Sequence, residues 1–135
     1  MIKFRAWDKN NKEMISWRHL LNGHNLRNVF MRTEMCGLEL MQSTEFKDEN
    51  GVNVYEGDVI NVHWFYANFD PVELGAFENE ECAERVVVKK EFGNLGFWWK
   101  EADTWVDLAT LAMSARLDEE SFEILGNIYE QQENR

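Results

Sequence analysis

Residues 47–58 read KDENGVNVYEGD and hold two turn signals around one short apolar alternation. The Asn-Gly pair at 50–51 is favoured in tight β-hairpin turns, where both central residues need a positive φ. A related phrase near the end of the chain, EILGNIYE at residues 123–130, again sets Gly beside Asn between apolar residues. The residues expected to form structural turns are Asn50, Gly51, Gly57, Asp58, Gly126 and Asn127. Such turns feed strands, so the fold is expected to be mainly β.

Alternating apolar and polar residues predict strands on both sides of this stretch. Residues 2–7 and 14–17 predict an opening hairpin across the polar turn at 8–12. Residues 38–42 are expected to pair with 52–55 through the Asn50-Gly51 turn. The β-branched and aromatic run at 59–65 is typical of a core strand.

The second half of the chain predicts a loop, a hairpin, a helix and a closing strand. Residues 70–84 carry six carboxylates and no basic residue, which is typical of a solvated loop. Residues 85–89 and 95–100 predict a hairpin around Gly93-Asn94. Apolar spacings of three and four predict one short helix within 103–117, and residues 122–129 predict the last strand. Residues 18–35 fit neither period.

Length and composition indicate one globular domain. The chain has 135 residues, of which 44% are hydrophobic and 13% aromatic, including six Trp. This apolar content disfavours a wholly disordered chain. Cys36 and Cys82 form no disulfide framework, and no apolar run suits a signal peptide or a membrane span. We therefore expect a soluble protein of the bacterial cytoplasm, with no membrane partner.

Charge is unevenly distributed along the chain. The net charge is −11, yet residues 1–35 hold seven basic and three acidic side chains and so carry +4. The remaining hundred residues carry −15. The negative total disfavours nucleic acid as a partner, while the asymmetry is typical either of solvated faces or of complementary surfaces on two copies.

The side chains that could act as nucleophiles, bases or metal ligands form no recognisable catalytic or metal-binding set. His19, His24 and His63 lack ligand spacing with each other and with the two cysteines. Cys36 is expected to be a small buried thiol, since a nucleophile would need a base beside it. The many carboxylates are expected to be solvated. No catalytic residue, metal site or cofactor is predicted, and the protein is not expected to be an enzyme.

Three phrases in order resemble the YopX family of phage and prophage proteins: IKFRAWD at residues 2–8, the central run from Met41 to Val59, and LGNIYE at 125–130. Residues 18–37 and 64–122 carry no such resemblance. The family usually reads Thr-Gly-Leu where this chain has Thr44-Glu45-Phe46, which argues against a glycine-only backbone conformation at Glu45.

The resemblance implies a mainly β domain with a small SH3-type barrel and no established activity. The turn at Gly57-Asp58, the apolar strand after it and the later hairpin are typical of such barrels as well. We expect a single YopX-like domain over 1–135: an N-terminal hairpin and connecting segment at 1–45, the SH3-like β-barrel at 46–130, and a tail at 131–135. One short helix should precede the last strand.

Aromatic and basic residues suggest where a partner could bind. Strand alternation sends one ring of Trp98-Trp99 inward and the other outward. The candidate interaction surface is Lys3, Arg5, Trp7, Trp98 and Trp99. Two functions remain open. The first is an interaction or assembly module that forms a homo-oligomer and binds a host or phage protein. The second is a nucleic-acid-associated regulator that contacts phosphate through the basic N-terminal segment.

Overall fold

A computed structural model describes residues 3–23, 25–33, 35–70, 75–118 and 120–130, with side chains left undescribed at 68–70 and 75–77. His24 and the predicted tail at 131–135 lie outside this part of the chain. Ten strands are described: β1 Phe4–Asp8, β2 Glu13–Ile15, β3 Leu38–Lys47, β4 Asn53–Tyr55, β5 Asp58–Asp70, β6 Gly75–Val87, β7 Lys89–Glu91, β8 Asn94–Trp99, β9 Thr104–Asp107 and β10 Phe122–Asn127. The three described helices are α1 Trp17–Gly23, α2 Leu26–Met31 and α3 Leu108–Ser114.

The strands form three antiparallel sheets, and the fold is mainly β as predicted. The first sheet has the order β2-β1-β3-β4, the second β10-β5-β6 and the third β7-β8-β9. The opening hairpin of β1 and β2 is confirmed, and so is the closing strand β10. The finer assignment to an SH3-type barrel remains a prediction.

The hairpin of β3 and β4 confirms the pairing predicted from Asn50-Gly51, but its connection has five residues instead of two. The Asp48 carboxylate accepts hydrogen bonds from the backbone N–H groups of Asn50 and Val52, both at 2.9 Å. Gly51 has a φ of +78°. The aspartate therefore holds a wider turn that the Asn-Gly pair alone did not predict.

The predicted loop at 70–84 is wrong, because most of this segment is strand β6. It pairs with β5 from Val59↔Val87 to Asp70↔Gly75 and makes a long two-stranded ribbon. Residues 71–74 lie outside the described part. Along β6 the exposed Glu78, Glu80 and Glu84 alternate with less exposed residues. The carboxylates indicated solvation correctly, and solvation is compatible with the outer side of a ribbon.

Two neighbouring predictions need correction in their bounds. Residues 85–87 belong to β6, so the hairpin at Gly93 is made by the shorter β7 with β8. The helix within 103–117 begins only at Leu108, because Trp105 and Val106 pair with β8 in strand β9. The Asp107 carboxylate caps α3 by accepting from the N–H groups of Ala109 and Thr110. Tertiary pairing thus overrides the helical spacing of Trp105.

Residues 18–35, which fitted neither period, contain α1 and α2. Asn25 caps α2, since its side chain accepts a hydrogen bond from the Asn28 N–H. Leu20 and Val29 turn inward and pack with Ala6 and Leu38 in a small core cluster. A larger cluster lies under the second and third sheets and α3. It contains Val54, Ile60, Val62, Trp64, Ala83, Val86, Val88, Phe97, Leu108, Leu111 and Phe122.

Gly57 and Asp58 join the sheets at one junction. The Gly57 N–H donates to the Val88 carbonyl at 2.8 Å, and the Ile128 N–H donates to the Gly57 carbonyl at 2.9 Å. Gly57 has a φ of +90°, and a Cβ there would lie 3.1 Å from the sulfur of Met41. Glycine is therefore favoured at this position by its backbone conformation, and any other residue would also displace the Met41 sulfur slightly.

Candidate interaction surface

Arg5 points into the protein and binds Asp58. Its guanidinium donates to the Asp58 carboxylate at 2.8 Å and to the Glu56 carbonyl at 3.3 Å, and it lies 4.8 Å from the centre of the Tyr55 ring. The side chain of Arg5 is 12% exposed and that of Asp58 is 2% exposed. Arg5 therefore ties the first sheet to the start of β5.

The burial of Asp58 and the neighbouring Arg5 change the pKa of the Asp58 carboxyl group in opposite directions. Burial raises the pKa of the Asp58 carboxyl above its ordinary value, and the charge of Arg5 opposes that rise. The second carboxylate oxygen accepts from the Tyr55 N–H at 2.8 Å. The site is a structural ion pair whose charged form depends on the arginine.

Of the four other residues of the candidate surface, one lies in the first sheet, two lie in the third sheet, and Lys3 directly precedes β1. Trp7 is 7% exposed and stacks on Tyr129, with ring centres 5.3 Å apart. Lys3 lines a shallow groove with Ser43, Glu45, Lys47 and Asn53. Trp98 and Trp99 belong to the third sheet. The fold therefore does not bring the five residues into one surface.

Trp98 and Trp99 confirm the alternation predicted for them. Trp98 is half exposed, whereas Trp99 packs edge-on against Trp64 with ring centres 5.0 Å apart. Trp98 lies opposite Trp105 across β8 and β9. A Cβ at Gly96 would come within 2.8 Å of the Trp105 ring, so this ring covers the glycine. Trp98 alone of the predicted residues presents a large exposed ring.

Sequence reasoning missed the outward side of α2. Arg27, Phe30 and Met31 are spaced three and four apart on this helix and are all exposed, while Val29 on the same helix is buried. Phe30 still contacts Phe4, with ring centres 5.0 Å apart. Arg32 follows directly and is exposed too. We name Arg27, Phe30, Met31 and Arg32 the α2 outer face.

The available signal was the pattern LRNVFMR at residues 26–32, in which two arginines enclose one Asn and three apolar residues after a capping Asn25. Met31 is 75% exposed and Met35, just beyond the helix, is 81% exposed. Neither Arg27 nor Arg32 forms an ion pair with another residue that the structure describes. The prediction of a buried Cys36 is wrong: the cysteine is exposed in the turn after α2.

A groove runs between the β3–β4 connection and the segment before β10, with a volume of about 620 Å³. Its floor is aromatic, since Phe46 lies against Phe122 with ring centres 5.2 Å apart. Its lining consists of Glu45, Phe46, Lys47, Asp48, Glu49, Gly51, Leu117, Asp118 and Phe122. We name this the acidic groove, because four carboxylates and one ammonium group surround it.

Glu45 takes a left-handed backbone conformation, with a φ of +69°. A left-handed conformation favours glycine but is open to other residues, so Glu45 does not adopt a glycine-only conformation, which agrees with the prediction. The register of β3 against β4 shifts between Ser43 and Lys47, which is a β-bulge. The left-handed residue therefore lies within the bulge.

Two surface carboxylates of the ribbon have side-chain partners that the structure describes. Glu78 binds the Arg116 guanidinium through two hydrogen bonds of 2.7 and 3.0 Å, which lowers the pKa of Glu78. Glu80 lies 2.9 Å from Nδ1 of His63. Among the residues described, no group of three or more His, Cys, Asp or Glu side chains could hold a metal ion.

The model of the YopX family, described as YopX protein, matches residues 3–134. The chain belongs to the YopX family. No curated protein matches the sequence. Among solved structures, protein EF1440 from Enterococcus faecalis is similar, at 22% identity with 99% of this chain and 97% of that chain covered and a TM-score of 0.49. No described helix of this YopX-family chain is both long enough and apolar enough to cross a membrane.

Proposed function

We propose that this YopX-family protein is a non-catalytic interaction or assembly module of a phage or prophage. It associates with itself and binds a host or phage protein inside the bacterial cell. The observation that carries the proposal is the α2 outer face together with Met35. Exposed methionines of this kind are adaptable contact residues, and arginine is enriched in protein interfaces.

Four large apolar side chains within residues 21–35 are exposed. Phe30 is 41% exposed, and Met31 and Met35 are more exposed still. Leu21 on the adjacent α1 is 47% exposed. Large apolar side chains gathered beside arginines are typical of a surface that is covered in an assembly.

A regulator that contacts nucleic acid is the second candidate, and one observation favours it. Arg18, Arg27 and Arg32 are all exposed, and none forms an ion pair within the described part of the chain. The net charge of −11 opposes this candidate, because the field of the whole protein repels phosphate.

The mass of the purified protein in solution tests the proposal. Light scattering is expected to give a mass well above the 16.0 kDa of one chain. The double variant Met31→Ser/Met35→Ser should lower that mass while keeping the fold, because exposed side chains contribute little to monomer stability. Met113→Ser on α3 is the matched control, since Met113 is 89% exposed but lies outside this region.

Affinity capture from host lysate, with and without nuclease, tests the partner. A protein that binds wild type and the Met113→Ser control, survives nuclease and is lost with Met31→Ser/Met35→Ser would support the proposal. A monomeric wild type that retains no protein would refute it. Recovery of nucleic acid that is abolished by nuclease or moderate salt would favour the regulator instead.

A further inference from the structure

Cys82 and His63 lie directly opposite each other on the ribbon of β5 and β6. They are register partners in this antiparallel pair, so their side chains project from the same side of the ribbon. The His63 N–H donates to the Ser121 carbonyl at 2.8 Å, on the β10 side of β5 and away from β6. The two residues therefore form a non-hydrogen-bonded pair, in which the Cα atoms are only about 4.5 Å apart and the side chains are closest.

Glu80 holds the imidazole ring of His63 in a defined state. Glu80 lies on the same side of β6 as Cys82, one alternation away, and its carboxylate is 2.9 Å from Nδ1 of His63. Because a carboxylate only accepts hydrogen bonds, Nδ1 carries the proton of the neutral ring and Nε2 keeps its lone pair. A carboxylate that orients a histidine beside a thiol is the arrangement in which the histidine acts as a base.

The Cys82 thiol is open to reagents from solvent. It is free and exposed, and the side chains of His63 and Glu80 are 41% and 53% exposed. Rotation about the Cα–Cβ bond of an exposed cysteine can bring Sγ to the imidazole without a change in the backbone. Cys36 is exposed as well, but its sulfur lies 3.8 Å from the backbone carbonyl of Asn28, which cannot act as a base. The two thiols therefore differ in the group beside them.

We propose that Cys82 is a site of thiol–disulfide exchange with a small uncharged disulfide, with His63 as the base and Glu80 as the positioning residue. Nε2 of His63 takes the thiol proton, and Sγ attacks one sulfur of the disulfide. The S–S bond of the reagent breaks as the new bond to Sγ forms, and the departing thiolate takes the proton from the imidazole. Cys82 becomes a mixed disulfide while the other half of the reagent is reduced to a thiol.

An uncharged disulfide is favoured by the field of the protein. The net charge of −11 and the carboxylate of Glu80 both oppose the approach of an anionic reagent to the sulfur. The inference is independent of the proposed self-association, because it concerns the ribbon and not the α2 outer face.

Reaction with bis(2-hydroxyethyl) disulfide, followed by the mass of the intact protein, tests the site. Cys36→Ser keeps only Cys82 and Cys82→Ser keeps only Cys36, so each thiol is measured alone. Cys82 should react about tenfold faster than Cys36, less than the usual gain from a general base because the site is open to water. Adding His63→Gln to Cys36→Ser should remove that advantage. His19→Gln, which replaces an exposed histidine of α1, is the matched control and should leave the rate unchanged.

The role of Glu80 is tested through the histidine. Glu80→Gln should slow the reaction of Cys82 when His63 is present and have no effect when His63 is replaced by Gln, because Glu80 acts only through the ring. Circular dichroism verifies the fold of each variant. Equal rates for the two thiols, an unchanged rate with His63→Gln, or a loss with Glu80→Gln that persists without His63 would overturn the proposal. A monomeric wild type in light scattering would refute self-association and leave a fast, His63-dependent Cys82 as support for this site.

Discussion

Replacing Arg5 by methionine should destabilise the protein strongly at neutral pH. The substitution removes the guanidinium that neutralises Asp58, whose side chain is 2% exposed. Leaving one partner of a buried ion pair uncompensated costs about 3–5 kcal/mol of the free energy of unfolding. Methionine retains much of the aliphatic stem, so lost packing against Tyr55 is a smaller contribution.

The loss should depend on pH with a definite sign. Burial raises the pKa of Asp58 in the folded protein and Arg5 lowers it, so the variant has a still higher folded pKa. A raised folded pKa means that the folded state binds the proton more tightly than the unfolded chain. The variant is therefore penalised least below the ordinary pKa of 3.8. Wild type and variant lose stability equally up to the raised pKa of Asp58 in wild type, so the stability difference should grow as pH rises from that pKa to the higher pKa of the variant.

Urea unfolding followed by tryptophan fluorescence measures this difference at several pH values, since Trp7 is buried in the first sheet beside Arg5. The double variant Arg5→Met/Asp58→Asn should recover most of the loss at neutral pH, because it removes the buried charge and keeps an oxygen for the Tyr55 N–H. A difference from wild type that stays constant with pH, or a double variant no more stable than Arg5→Met, would refute the reasoning. Loss of association with unchanged stability would instead make Arg5 a contact residue.

Two further substitutions test backbone conformations with positive φ. Gly57→Ala should lower the free energy of unfolding by about 1–2 kcal/mol, because alanine at a φ of +90° is strained and its Cβ must displace the Met41 sulfur. Urea midpoints measure this loss, and Gly23→Ala is the control, since a Cβ at Gly23 has open space. Phe92→Asn should stabilise the folded protein by about 1 kcal/mol and raise the Tm by roughly 3–5 °C. Phe92 has a φ of +52° and is 98% exposed, and the resulting Asn-Gly pair is favoured in this hairpin turn. A lower Tm for Phe92→Asn would show that the ring contributes to the fold of a single copy.

The hairpins could be predicted from sequence because their signals are local. Turn residues and alternation at β3–β4, at β1–β2 and at β10 gave the right elements. The ribbon of β5 and β6 was missed because its acidic residues were interpreted by charge and not by alternation. Charged residues indicate that a segment is exposed to solvent, and both a loop and the outer side of a ribbon are exposed to solvent.

The candidate surface could not be predicted to the same extent. Strand alternation predicted one exposed ring at Trp98-Trp99, which the structure confirms at Trp98. The interior position of Arg5 depends on Asp58, which is 53 residues away in sequence, and no local pattern reports such a pairing. The α2 outer face depends on which side of a six-residue helix meets β1 and β3. A helix that short carries too few residues for its period to be recognised.

Residues that build the fold and residues that offer a surface are largely separate in this chain. Gly57 and Asp58 contact three segments that are distant in sequence. Asp58 binds Arg5 of the first sheet, and Gly57 forms backbone hydrogen bonds with Val88, between β6 and β7, and with Ile128, at the end of β10. Substitution of Gly57 or Asp58 should mainly lower the free energy of unfolding. The side chains of the α2 outer face are exposed, and neither of its arginines forms an ion pair with another residue that the structure describes. Substitution there should therefore leave the free energy of unfolding of one copy nearly unchanged, which separates an effect on association from an effect on the fold.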